Sequence, residues 1–229
     1  MCGRYALFTD PTDLAEEFGL DDATYEPTYN AAPSEQLPVI LDDAPETLTA
    51  ARWGLVPSWS DGPGGDPDPI NARAETLTEK RYFREAFDER RCLVPADGFF
   101  EWVETADGKR PHYVSRADGR PFLLAGLWET WTPEQTQTGL GEFGSGSPSR
   151  EAETVQSFTV VTTEPNDFLA AYHHRMALLL DREAGERWLT ADDPSDLLAP
   201  SAVDLQAWPV SEAVNDPSND RPDLVEAVA

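Results

Sequence analysis

The sequence predicts an α+β domain with a barrel-like core of mostly antiparallel strands and helices at its periphery. Three observations lead there. Short apolar, β-branched runs recur along nearly the whole chain, bounded by Gly, Pro and Asp; helical periodicity is confined to a few brief stretches; and no internal repeat is present. The 229 residues are 40% hydrophobic and include 7 Trp, 6 Tyr and 10 Phe, enough to fill one core, so residues 1–229 read as a single domain.

Taken in order, residues 3–8 alternate as a strand. Thr9, Asp10 and Pro11 then open a helix with a capping residue and a first-turn proline; Leu14 and Phe18 share one face and Gly19 ends it. Leu37–Leu41 and Leu48–Val56 read as strands, and the Gly, Pro and Asp of Asp61–Pro69 as a loop. Thr78–Arg90 has a helical pattern with Tyr82, Phe83 and Phe87 as its buried side. Strand-like runs follow at 92–95, 98–103, 111–116 and 121–128. Pro133–Gln156 is poor in apolar residues and reads as a flexible surface excursion rather than a boundary, because a strand resumes at Phe158–Thr163. Pro165–Tyr172 and Arg182–Leu189 read as short helices around a strand at 177–180, and the chain from Ser211 as a surface tail.

Charge is the outlier. Asp and Glu number 43 against 17 Lys and Arg, a formal net charge of −26. The acids are spread among Trp and Phe, which fits a salt-adapted, charge-solubilised surface better than an acidic tail or disorder. The two cysteines, Cys2 and Cys92, make no disulfide framework, so a reducing cytoplasm is the expected compartment. No stretch approaches the roughly 20 apolar residues of a membrane span, and MCGRYALFTDP lacks the apolar run of a signal peptide. Three histidines, two of them adjacent, and two distant cysteines make no metal-ligand set; no metal and no cofactor are expected.

Chemistry starts at Cys2. A small second residue favours removal of Met1, which leaves a free α-amine beside its own thiol. The amine condenses with an aldehyde to an imine, and the thiol closes a five-membered thiazolidine. With an ordinary α-amine pKa of about 7.7–8.0, a useful neutral fraction exists near pH 7. Gly3 permits close backbone approach and Arg4 brings a cation near the thiol. Polar residues then recur beside apolar ones in RWGLVP with Trp59, INARAET (70–76), RCLVPADGFFEW (91–102) and HHRM (173–176), where an ionisable group is costly without a partner or a task.

These segments resemble the SOS response-associated peptidase (SRAP) family of abasic-site processing proteins. The resemblance runs through MCGRY, YNAAP, WGLVPSW, INARAET, RCLVPADGFFEW, AGLWE, VTT, HHRM and WPVSEAVN, in order over nearly the whole chain. It implies a SRAP-type barrel-like fold and a thiazolidine crosslink between Cys2 and the aldehyde of an abasic site in single-stranded DNA. It implies further that Cys2 is the nucleophile, that Asn71 holds the Cys2 end and the opened sugar, that Glu101 is the acid/base carboxylate, and that His173 moves protons. Flanking Phe100 and Trp102 would raise the Glu101 pKa if they surround it. By the same resemblance Arg4, Arg73 and Arg175 contact phosphates, Trp59 stacks at the lesion, and Pro33 and Thr162 form part of the DNA-facing rim.

Two positions depart from the family pattern: Ala177 where proline is usual, and Ser60 where some members carry a second tryptophan. Ser60 puts some base stacking in doubt, each such stack being worth about 1–3 kcal/mol. The expected partner is single-stranded DNA bearing abasic sites, met by a monomer that is cytoplasmic and nucleoid-associated on damaged DNA. Three other readings stand beside this one: a non-covalent single-stranded DNA binder, a thiol peptidase acting beyond Met1, and an N-terminal-nucleophile amidotransferase, whose members also begin Met-Cys-Gly. A strongly acidic chain lacks the usual basic footprint of a DNA-binding protein, which the structure has to answer.

Overall fold

The computed structural model describes residues 2–65, 68–106, 108–133 and 154–228; the excursion read at Pro133–Gln156 lies for the most part outside the described residues. In chain order the elements are β1 (Tyr5–Leu7), α1 (Pro11–Phe18), β2 (Thr28–Ala31), β3 (Gln36–Leu41), β4 (Ala44–Trp53), β5 (Asn71–Arg73), α2 (Arg84–Glu89), β6 (Arg91–Ala96), β7 (Gly98–Thr105) and β8 (Gly108–Arg116). These are followed by β9 (Phe122–Trp131), β10 (Val155–Thr163), β11 (Met176–Ala177), β12 (Leu179–Leu180), α3 (Arg182–Thr190) and β13 (Leu205–Pro209).

Strands β10, β4, β3, β6 and β9 pair in that order, and β9 pairs back onto β10, so five strands close into a barrel. Closure leaves these strands without a free edge. Every strand pairing is antiparallel except β10 with β4 and β10 with β5. Trp53 and Phe158 lie stacked and fully buried, with ring centroids 6.2 Å apart. Cys92 is fully buried too, opposite Gly126 in the β6–β9 register. A Cβ at position 126 would come within 2.7 Å of the Cys92 sulfur, so the close approach there requires glycine. Against the barrel stands an open antiparallel sheet in the order β13-β8-β7-β1-β2. The expected α+β architecture with a barrel-like antiparallel core is the one observed.

Helix α1 forms as read: the Asp10 carboxylate accepts from the Thr12 amide at 2.8 Å, Leu14 and Phe18 are buried, and Gly19 closes it at φ 71°. The Thr78–Arg90 pattern yields only α2. Residues before it form successive turns, and Tyr82 is exposed while Phe83 and Phe87 are buried. Adjacent residues on a helix project about 100° apart, so Tyr82 and Phe83 cannot share a narrow buried stripe. Pro165–Tyr172 is reduced to a single turn at Leu169–Ala171, and the 177–180 run is split between β11 and β12. Arg91, itself buried, fastens both α2 and α3: it donates to the carbonyls of Phe87 (2.8 Å), Trp188 (2.6 Å) and Ala191 (2.6 Å).

The C-terminal stretch from Ser211 runs mostly exposed over the surface and is anchored there as a strap. Turns at Glu212–Asn215 and Pro222–Val225 bury Val214 and Leu224 completely, in a second core with Ala6, Phe100, Tyr113 and Val210. Apolar positions there are sparse; Ala213, Val214, Leu224 and Val225 cover the outer face of the open sheet, while Val228 stays exposed.

Candidate active site

The open sheet and the barrel meet at the chain's start. Tyr5 pairs with Phe99 in the β1–β7 register, and the Phe100 amide donates to the Arg4 carbonyl at 3.0 Å, so residues 2–4 continue antiparallel alongside 100–102. That register sets Gly3 opposite Glu101 and leaves Cys2 one residue beyond, where the Glu101 charge acts on its thiol. From the other side comes β5, held parallel to β10 by Asn71 opposite Val160 and approached by the Trp53 indole, which donates to the Ile70 carbonyl at 3.0 Å. The Asn71 side-chain amide then donates to the Cys2 carbonyl at 2.9 Å, so a barrel-side strand grips the end of a sheet strand.

Cys2 is fully buried and Glu101 is 2% exposed. Burial, reinforced by the negative charge of Glu101, pushes the Cys2 thiol up to about 12. Burial likewise pushes the Glu101 carboxyl up to about 7. Its flanking aromatics are not the cause. Side chains along a strand alternate between faces, and Phe100 belongs to the outer core with Trp102 packed against it, whereas Phe99 belongs to the main core. Glu101 therefore projects inward with Phe99, and the main core desolvates it. The Asn71 side-chain oxygen is buried without a hydrogen-bond partner among the described residues. A buried orphan acceptor beside the Cys2 carbonyl is an anomaly that a hydroxyl or amine donor would relieve.

His173 is half-buried, and burial lowers its pKa. The Arg175 amide donates to its Nδ1 at 3.0 Å, fixing the ring against the loop that leads into β11. Arg175 is buried: one guanidinium nitrogen donates to Glu75 at 2.5 Å, and the other to Glu75 at 3.0 Å and to the Thr162 carbonyl at 2.7 Å. Thr162, expected on the DNA-facing rim, is fully buried in this structure, and its carbonyl holds Arg175. Arg4 donates to the Asn30 side chain at 2.7 Å and to the Val214 carbonyl at 2.9 Å. Two of the three arginines expected at phosphates, Arg4 and Arg175, are thus also fold ties. Arg73 is exposed, Pro33 is half-buried, and Trp59 is 45% exposed.

Sequence reasoning gave no task to Asn30 or to the C-terminal turn. Asn30 donates to the carbonyls of Val214, Asp216 and Asn219, and the Trp102 indole donates to the Asn215 side chain at 2.7 Å. The motifs holding these residues, YNAAP and WPVSEAVN, were visible, but their pairing across about 185 residues was not. The register also sets His112 opposite Glu101, with the His112 ring 5.5 Å from that of Tyr172.

Comparison with known proteins agrees with this architecture. Residues 1–217 match the family described as SOS response associated peptidase (SRAP). The chain is 37% identical over 240 residues to the abasic site processing protein YoqW of Bacillus subtilis, covering 99% of this chain and all of that one. It is 30% identical to the abasic site processing protein YedK of Escherichia coli, over the full length of both. A crystal structure of a protein from Bacteroides thetaiotaomicron, 23% identical, superposes over the whole of both chains with a TM-score of 0.81, and shares the fold. By the family match over residues 1–217 and by its relatives, the chain belongs to the SOS response associated peptidase family.

Proposed function

We propose that this protein processes abasic sites in single-stranded DNA by forming a covalent thiazolidine through Cys2 once Met1 has been removed. The observation that carries the reading is the convergence of Cys2, Asn71 and Glu101 from two sheets into one buried site. The names of the 30–37% identical relatives, all abasic site processing proteins, point the same way.

The chemistry follows from the groups present. While Met1 is attached, the Cys2 nitrogen is an amide and cannot form an imine. After its removal, the amine adds to the ring-opened sugar aldehyde and water leaves. The thiol then adds across the C=N bond, sulfur to carbon and its proton ultimately to nitrogen, closing the ring. A thiol pushed up to about 12 does not ionise unaided near neutrality, so it needs a base at the moment of attack. Glu101, with a pKa near 7, is populated in both protonation states there and can take that proton, or give one to the leaving hydroxyl in the preceding dehydration. Asn71 fixes the Cys2 carbonyl and keeps one acceptor for the sugar hydroxyls.

The test is incubation of Met1-processed protein with an oligonucleotide carrying one abasic site, read by denaturing gel and intact mass. A heat-stable adduct with loss of one water, absent in Cys2→Ala, supports the reading. Binding without any adduct, with loss of Met1 verified, favours a non-covalent binder instead.

A further inference from the structure

The acidic excess makes the location of unspent cations informative. Most described arginines and lysines are committed. Nine lie in salt bridges: Arg52, Arg90, Lys109, Arg116, Arg120, Arg175, Arg182, Arg187 and Arg221. Arg4 and Arg91 are spent on backbone carbonyls and Asn30, and Arg110 has partners of its own. Among the described residues, the exposed cations in no salt bridge are Arg73, Lys80, Arg81 and Arg84. All four fall within twelve residues, and that segment starts two positions from Asn71. Its acids are Glu75, already paired with Arg175, and Glu79.

The same segment holds one of the two large exposed aromatics among the described residues and touches the other. Tyr82 is 38% exposed and Trp59 45%. Their ring centroids are 5.3 Å apart, and the Arg81 guanidinium lies 4.3 Å from the Trp59 ring centroid. Exposing two aromatics forgoes burial that an ordinary surface would use. Unpaired cations alternating with open π-faces are what a single strand requires: charge for phosphates, and flat surfaces on which any base can stack. An acidic peptide would need the cations but not the aromatic pair.

We propose that residues 73–84, with Trp59, form the track for the strand that leaves the Cys2 site. Phosphates lie along Arg73, Lys80, Arg81 and Arg84, and a base seats against Tyr82 and Trp59. The inference rests on single-stranded DNA being the substrate, and it adds Lys80, Arg81, Tyr82 and Arg84 to the residues that bind it. It also answers the charge objection. The basic footprint is local, and at about 1 M salt, where the Debye length is about 3 Å, local contacts are the ones that count.

The experiment measures affinity for an oligonucleotide without any abasic site, by anisotropy over a range of salt, separately from covalent yield at saturating abasic DNA. The triple variant Lys80→Gln/Arg81→Gln/Arg84→Gln is compared with Arg182→Gln/Arg187→Gln/Arg221→Gln, which changes net charge equally at exposed sites outside the track. The track triple is expected to lower the log–log salt slope by about 2, from roughly 0.7 per phosphate contact, and the outside triple to leave it unchanged. Tyr82→Ala is expected to weaken binding roughly 5- to 100-fold. Equal losses in both triples, or undiminished binding by Tyr82→Ala, overturn the track. A wild type that binds plain DNA through these residues but gives no adduct retains the track and rejects the covalent reading.

Discussion

Replacing Glu101 by Gln should make this protein more stable and less active, and the stability gain should depend on pH in a way set by burial. The side chain is 2% exposed and its pKa is pushed from 4.5 up to about 7. A carboxyl whose folded pKa lies above its unfolded value binds its proton more tightly in the folded chain. Its contribution is fully present below pH 4.5 and is lost as pH rises through about 7. At 1.36 kcal/mol per unit, ionised Glu101 costs the fold about 3 kcal/mol at pH 8 relative to pH 4. Gln keeps the shape and cannot ionise. Its variant should therefore exceed wild type by about 3 kcal/mol at pH 8, roughly 6–12 °C in Tm for a chain of this size. The two should converge towards pH 4.5. Melts at matched salt, with the variant-minus-wild-type difference taken at each pH, cancel the titration of the other carboxylates. A difference that is flat with pH, or a variant less stable at pH 8, would refute the claim that burial sets this pKa. The same variant should lose the rise in crosslinking rate through pH 7 if Glu101 takes the thiol proton, an exchange of stability for activity often met at active sites.

Arg91→Leu removes the donor to carbonyls of Phe87, Trp188 and Ala191, and with buried acceptors left unpaired it should cost about 3 kcal/mol or more, seen as a lower denaturant midpoint. Ending the chain after Val210 removes Val214 and Leu224 and releases Arg4 and Asn30; amide exchange at residues 4–6 should accelerate well beyond that at β6 and β9, which the strap does not touch.

What the sequence disclosed, and what it withheld, divides by the range of the interactions. Local chemistry was readable: Asp10 and Gly19 bound α1, the alternation of 98–103 gives β7, and Trp59, followed by the Gly- and Pro-rich stretch 61–69, is exposed. Residues whose setting depends on distant pairing were not. Tyr82 reads as core by periodicity yet finds Trp59 at the surface instead. The short strands β2, β5 and β13 lack enough residues for a period and exist because a neighbouring strand pairs with them. Glu101 was identifiable from FFEW through family resemblance, but its inward direction comes from strand phase, which its two aromatic neighbours obscured. The hydrogen bond that joins Arg175 to the Thr162 carbonyl was likewise not legible, because it links residues on β10 and the loop before β11.

The two pKa shifts at the site impose an order on the proposed chemistry, and that order can be tested. The thiol, held up to about 12, is a poor first nucleophile at neutral pH, whereas an α-amine, whose reference pKa is about 8, is in general a competent one. Imine formation should therefore precede sulfur attack and should not need sulfur at all. Cys2→Ala retains a small second residue, so Met1 is still removed and the α-amine is still free. This variant should form the imine with an abasic oligonucleotide and stop there. Without a reductant the imine hydrolyses on denaturation and the gel shows no adduct. With borohydride, hydride adds to the imine carbon, and the resulting secondary amine survives heating, at the combined mass less one water plus two hydrogens. Trapping in Cys2→Ala at a rate near that of wild-type imine formation would place the amine first. Failure to trap any adduct, with Met1 removal and DNA binding both verified, would mean that sulfur must attack the aldehyde first, and Glu101 would then have to deprotonate the thiol at the opening step rather than at ring closure.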